Sequence, residues 1–166
     1  DLAEWEAAEG SGPGWKVESG NMGIEPGTGS IRTKRRFGDC QLHIEWATQD
    51  PLSERAYPGN SGVYFGPYEI QILANHSEEP KIYADGMAGA IYGQYPPLVN
   101  ACRQPGQWQS FDIIYRRPRF DDEGRLEKPA TMTVFHNGVL VQDSEPLTGP
   151  TGHGRRPDYK PHGKVP

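Results

Sequence analysis

The chain of 166 residues holds only two cysteines, Cys40 and Cys102, and neither belongs to a Cys-x-x-Cys or Cys/His spacing. That argues against a zinc site and leaves two buried free thiols or one disulfide. No apolar run approaches the roughly 20 residues that a membrane-spanning helix needs, and mean hydropathy is -0.76, so no membrane span is expected. Positive charge is not in excess: 17 basic residues stand against 22 acidic ones, for a net charge of -5. Nucleic acid is therefore not an expected partner. The basic clusters Lys34-Arg35-Arg36 and Arg116-Arg117-Pro118-Arg119 are short, flank strand-like runs and read as solvated strand ends. There is no phosphate-cradling glycine loop before a helix, no Gly-x-Ser-x-Gly elbow and no His-Glu-x-x-His. Nor is a pair of carboxylates securely placed, so a two-carboxylate glycosidase cannot be read from the chain. Helical patterning is confined to Asp1 to Glu9, where Leu2, Trp5 and Ala8 could form one short stripe. The chain opens at Asp1 without Met, as a processed or trimmed chain would.

What is abundant is punctuation, with 21 glycines and 16 prolines. Between them lie short alternating runs. Trp15 to Glu18 and Ser30 to Lys34 each suit one face in a core. Cys40 to Ala47 is sharper: Leu42, Ile44 and Trp46 share one face, while Gln41, His43 and Glu45 share the other. Ser61 to Phe65, a Gly66-Pro67 turn and Tyr68 to Leu73 predict a hairpin, with Tyr68, Ile70 and Ile72 on one side and Glu69, Gln71 and Leu73 on the other. Trp108 to Arg116, Ala130 to His136 and Val139 to Gln142 are again strands, the last two joined by Asn137-Gly138, the strongest short hairpin signal. Ala74 to Gly106 is a long segment that is either functional or holds unrecognised short strands. Residues 144–166 are expected to be irregular. About ten short strands without intervening helices predict an all-β antiparallel sandwich or jelly roll, a single domain over residues 1–166.

If Leu42, Ile44, Trp46, Tyr68, Ile70 and Ile72 fill the space between two sheets, then His43, Glu45, Glu69 and Gln71 project from the outer face of one sheet. Carboxylates, an imidazole and amides on a concave face suit sugar hydroxyls, which need both donors and acceptors, or else are ordinary solvent-facing positions. His136, just before the turn, could shuttle protons or could simply bond to backbone. Asp85 is an Asx-type turn residue or a loop carboxylate. Tyr83, Tyr92, Tyr95 and Trp108 surround the long segment and either stack on sugar rings or staple the loop to the sandwich. His76, His153 and His162 lie in loops without spaced partner ligands.

Ile31 to Lys34, Phe37-Gly38-Asp39, Leu42 to Trp46, Gly59 to Tyr64, Tyr68 to Leu73, Gly89 to Gly93 and Val134 to Val139 together closely resemble the 3-keto-disaccharide hydrolase domain family, from about Trp15 to Tyr159. Its members are also described as 3-keto-glucoside lyases and 2-hydroxy-glucal hydratases. The resemblance implies a concanavalin-like, laminarinase-like jelly roll in bacterial secreted, periplasmic or cell-surface proteins, with a sugar site on the concave face where Glu45, Glu69, Gln71 and His136 would stand. It implies a 3-keto-glycoside substrate, cleaved or hydrated through proton abstraction at carbon 2 and elimination at carbon 1. Glu69 or His136 would be the base and the other the acid, with Gln71, Asn60 or Arg32 steadying the enolate oxygen and His43, Asp85 and Tyr92 also facing substrate; a divalent metal could replace those donors. The alternative with the same fold is a non-catalytic carbohydrate-binding or self-assembling module. Relative to the family, the short first strand and the long last strand are missing here, so a fragment, or self-association through an uncovered sheet edge, is an expectation. Cys40 and Cys102 replace residues usual in the family, and their joint presence points to a disulfide suited to an exported protein.

Overall fold

The computed structural model describes residues 1–9, 14–48, 59–75, 83–154 and 157–166. It divides into two compact units, Asp1–Phe37 with Lys164–Pro166, and Gly38–Gly163. In the first unit, β1 (Trp5–Ala7) pairs antiparallel with β4 (Ile31–Thr33), and β2 (Lys16–Glu18) with β3 (Asn21–Gly23). The helical stripe expected over Asp1 to Glu9 is thus corrected to a strand. One turn of helix would leave most of its backbone groups without partners, whereas Ala8 N–H donates to Ser30 and Lys34 N–H to Glu4 across the pair. Phe37 and Val165 close the unit with a two-way backbone bridge.

The second unit is built on a four-stranded antiparallel sheet in the order β12 (Val139–Pro146), β11 (Thr131–His136), β8 (Gln109–Arg116), β5 (Cys40–Trp46). Alternation decides its faces: Phe111, Ile113, Tyr115, Met132, Val134 and Val141 are fully buried, while Gln41, His43, Glu45 and Asp112 are exposed on the other side. The β11–β12 hairpin turns at Asn137 (φ 51) and Gly138 (φ 79), the paired positive dihedrals of a type I′ turn. β12 runs on to Pro146, past the expected start of irregular chain at residue 144. Its register shifts around Val134 and the positive φ of Ser144 (56) let it keep pairing with β11 as far as Thr131.

Facing this sheet is the hairpin of β6 (Ser61–Phe65) and β7 (Tyr68–Ile72), turned at Gly66 (φ 62). Phe65 and Tyr68 meet Tyr115 with ring centroids 4.8 and 6.2 Å apart, so the face carrying Tyr68, Ile70 and Ile72 closes the sandwich. The long segment supplies a third strand-like edge: Ile91 bridges Ile70, and Tyr92 N–H donates to the Glu69 carbonyl at 3.1 Å. A short 3-10 turn, Ala84–Gly86, precedes it. Among the described residues there is no α-helix, and the architecture is the all-β antiparallel sandwich that the alternation predicts. β9 (Arg119–Phe120) and β10 (Leu126–Lys128) form a small outlying ribbon.

Candidate functional site

The outer face of the β6–β7 hairpin is polar and yet covered, with Glu69 and Gln71 both buried. A tight turn between Phe65 and Tyr68 forces Tyr64 opposite Glu69 and Gly62 opposite Gln71, and the Ile91 edge brings Tyr92 beside Glu69. The result is a row, Tyr64–Glu69–Tyr92, across three strands, followed by a second row, Gly62–Gln71–Ala90. Side chains paired in this way stand roughly 5 Å apart at Cβ. Every residue of β7 is buried, on both faces.

Glu69 is 8% exposed. Its burial pushes the carboxyl above the usual carboxylate range, while a hydrogen bond from the Tyr64 hydroxyl opposes that to a lesser degree. Gly62 makes the arrangement possible, because a Cβ there would fall on Glu69 Oε1. Gln71 Nε2 donates to Asn60 Oδ1 at 3.1 Å, which fixes the amide orientation. Beside these rows lies a cavity of about 500 Å³ lined by Asn60, Gln71, Leu73, Tyr83, Gly86, Tyr92 and His153, within the range for a small-molecule site. One wall is aromatic: the Tyr83 and Tyr92 hydroxyls hydrogen-bond at 2.7 Å, and the His153 ring lies 3.9 Å from the Tyr83 ring. Gly86 lets the Tyr83 ring rest on backbone, since a Cβ would strike it.

The structure gathers Glu69, Gln71, Asn60 and Tyr92, and parts them from other sequence candidates. β5 and β7 belong to different sheets, so His43 and Glu45 do not share a face with Glu69. They lie on the solvent side of the four-stranded sheet, where His43 Nδ1 pairs with Asp112 at 2.6 Å, and that bond raises the imidazole pKa. Alternation fixes the face of a strand but not the sheet that it joins.

His136 is also elsewhere. It is fully buried between the sheets, against Phe111 (4.7 Å) and Trp46 (5.6 Å), with Nε2 donating to Gln109 Oε1 at 2.8 Å. Burial, aided by Arg103, lowers its pKa to about 4, so it is a neutral core imidazole. Arg32 belongs to the first unit, where its guanidinium pairs with Glu6 at 2.8 Å. Asp85 sits in the 3-10 turn and its carbonyl accepts from Gly93 N–H. His76 lies outside the described residues.

The two cysteines are free, which corrects the expected disulfide. Cys40 pairs with Tyr115 at one end of β8, and Cys102 Sγ accepts from Gln109 Nε2 at the other, about 20 Å away at the rise of a strand, far beyond disulfide reach. Among the described residues no group of three or more His, Cys, Asp or Glu could hold a metal ion. The residues around Glu69 are amides and phenols, which can donate hydrogen bonds to a substrate oxygen.

Tyr64 and His153 were missed in the sequence. Tyr64 was legible, since the register of a two-residue turn pairs it with Glu69. His153 was not, because only the fold carries the segment after β12 back to Tyr83: Gln94 binds Gly149 and Thr148, and Thr151 binds the carbonyl of Pro67.

Comparison with known proteins places this geometry in context. The family pattern described as the 3-keto-alpha-glucoside-1,2-lyase-like domain matches residues 1–165. No protein of curated function matches the chain. Among solved structures, a candidate glycosyl hydrolase from Parabacteroides distasonis ATCC 8503 superposes with a TM-score of 0.90 at 38% identity, covering 99% of this chain and 70% of that one. Another from the same organism gives a TM-score of 0.60 at 21% identity over 87% of this chain and 69% of its own, a likeness of fold alone. With a match along nearly its whole length and a close structural relative, the chain belongs to the 3-keto-alpha-glucoside-1,2-lyase-like domain family.

Proposed function

We propose that this domain, within the sugar-active class of its family, cleaves or hydrates 3-keto-glycosides by removing the proton at carbon 2 and expelling the glycosidic oxygen from carbon 1. A ketone at carbon 3 acidifies the proton at carbon 2, so a single base suffices and no oxocarbenium ion forms. The observation that carries this reading is Glu69: a buried carboxylate of raised pKa that stands in the rows beside Gln71 and Tyr92, two residues lining a sugar-sized cavity whose described lining itself holds no carboxylate. Two-carboxylate hydrolysis needs a partner acid, and none stands among the described lining residues, whereas enolisation needs one base tuned toward neutrality and donors for the enolate oxygen. Glu69 takes the proton. Gln71, held by Asn60, and the Tyr64 hydroxyl are the donors in reach of the same rows.

The test is deuterium uptake at carbon 2 when the chain is incubated with a 3-keto-glucoside in heavy water and followed by proton NMR. Exchange that Glu69→Gln abolishes, with the fold intact by circular dichroism, supports the reading. No exchange from folded wild-type chain, with or without added divalent metal, overturns it in favour of a sugar-binding module.

A further inference from the structure

Elimination at carbon 1 leaves an alkoxide unless a proton reaches the departing oxygen, and the histidine expected to supply it is buried between the sheets. We propose that Tyr92 is the proton donor to the leaving glycosidic oxygen and that Tyr83 positions it. This rests on the reading of Glu69 as the base at carbon 2.

Three observations converge on Tyr92. Its backbone pairs with Glu69, so both side chains rise from one face, on adjacent strands, close enough to reach neighbouring carbons of one ring. It lines the same cavity as Gln71 of the adjacent strand β7 and as Asn60, which lies beyond β7 in strand order. Its hydroxyl is bonded to that of Tyr83 at 2.7 Å, and the Tyr83 ring is braced by His153 on one side and Gly86 on another. A phenol is both donor and acceptor, so Tyr92 can give its proton outward while taking one from Tyr83. The step balances: Glu69 takes the proton from carbon 2, the C2–H electron pair becomes the C2–C3 enolate, and that pair forms the C1–C2 double bond as the C1–O bond breaks. The leaving oxygen takes the Tyr92 proton, Tyr92 is reprotonated through Tyr83 from water, and Glu69 returns its proton to solvent. No oxidant or reductant is needed.

The experiment compares two 3-keto-glucosides, one with a methyl leaving group, which needs an acid, and one with 4-nitrophenyl, which does not. Tyr92→Phe is expected to lose about 100-fold in kcat on the methyl substrate, the size of a general-acid contribution, and less than about 3-fold on the nitrophenyl one. Tyr83→Phe is expected to show the same selectivity, weaker, with KM unchanged. Equal losses on both substrates, or none on either, overturn the proposal. If Tyr92→Phe does not fold, the wild-type rates over a leaving-group series decide: a shallow dependence on leaving-group pKa supports a proton donor and a steep one overturns it. Failure of the Glu69 reading is separable, because it abolishes exchange at carbon 2 in the wild type whatever the leaving group.

Discussion

The carboxylate of Glu69 occupies the space where Gly62, its diagonal neighbour on β6, would carry a side chain. A methyl group at Gly62 must displace that carboxylate, while the hairpin itself can tolerate it, because Gly62 is not among the glycines of positive φ. Gly62→Ala is therefore expected to lower turnover by roughly 100-fold, the effect of shifting a catalytic group by about an ångström, with a cooperative thermal melt retained. Unchanged turnover would show that the carboxylate has room to work from another position.

Burial raises the pKa of Glu69, which sets a sign for stability as well as for activity. A carboxyl whose folded pKa lies above its unfolded value favours folding while protonated, and that contribution is lost as pH rises through the folded pKa. Glu69→Gln should thus be more stable than wild type at pH 7, with the gain vanishing below the ordinary carboxylate range near 4.5. Urea unfolding at the two pH values checks this; a Gln variant less stable at pH 7 would contradict it.

His136 has the opposite sign. Its pKa falls to about 4 in the fold from 6.5, so the contribution of the neutral ring is complete above 6.5 and is lost as pH falls through 4. The loss is on the order of 3 kcal/mol. His136→Leu should flatten the stability profile over that interval, and carbon 2 exchange per folded molecule should be unaltered. A Leu variant that folds yet cannot exchange would return His136 to the mechanism.

The two thiols lie at opposite ends of β8. Reductant is therefore expected to leave the melting temperature unchanged, and both thiols should react with Ellman's reagent after unfolding without reductant. Fewer than two reactive thiols would mean an intermolecular or rearranged bridge.

Within each strand the sequence was a reliable guide, because a pleated strand alternates by geometry. Leu42, Ile44 and Trp46 point inward as expected, and Asn137-Gly138 turns as its dihedrals require. What alternation could not convey was membership. Glu45 and Glu69 carry the same local signature, yet one faces solvent and the other a covered face. The difference arises from the Ile91 edge and from the segment of residues 148–153, which come from far along the chain. His136 shows a related limit: its strand parity points inward, but a histidine beside a turn carries no local mark of burial, which comes from Gln109 and Trp46 packed around it. The N-terminal stripe has helical period over three residues alone, too few to outweigh the pairing offered by β4.

The chain segments that meet at the Tyr83–His153 ring contact are 70 residues apart, whereas β11 and β12 are joined by a two-residue turn. Closing a long loop costs more entropy before any contact repays it, so local hairpins form ahead of distant junctions. On refolding, β-sheet ellipticity should recover before the cavity can bind or turn over a sugar, and a chain captured early would look folded while doing no chemistry.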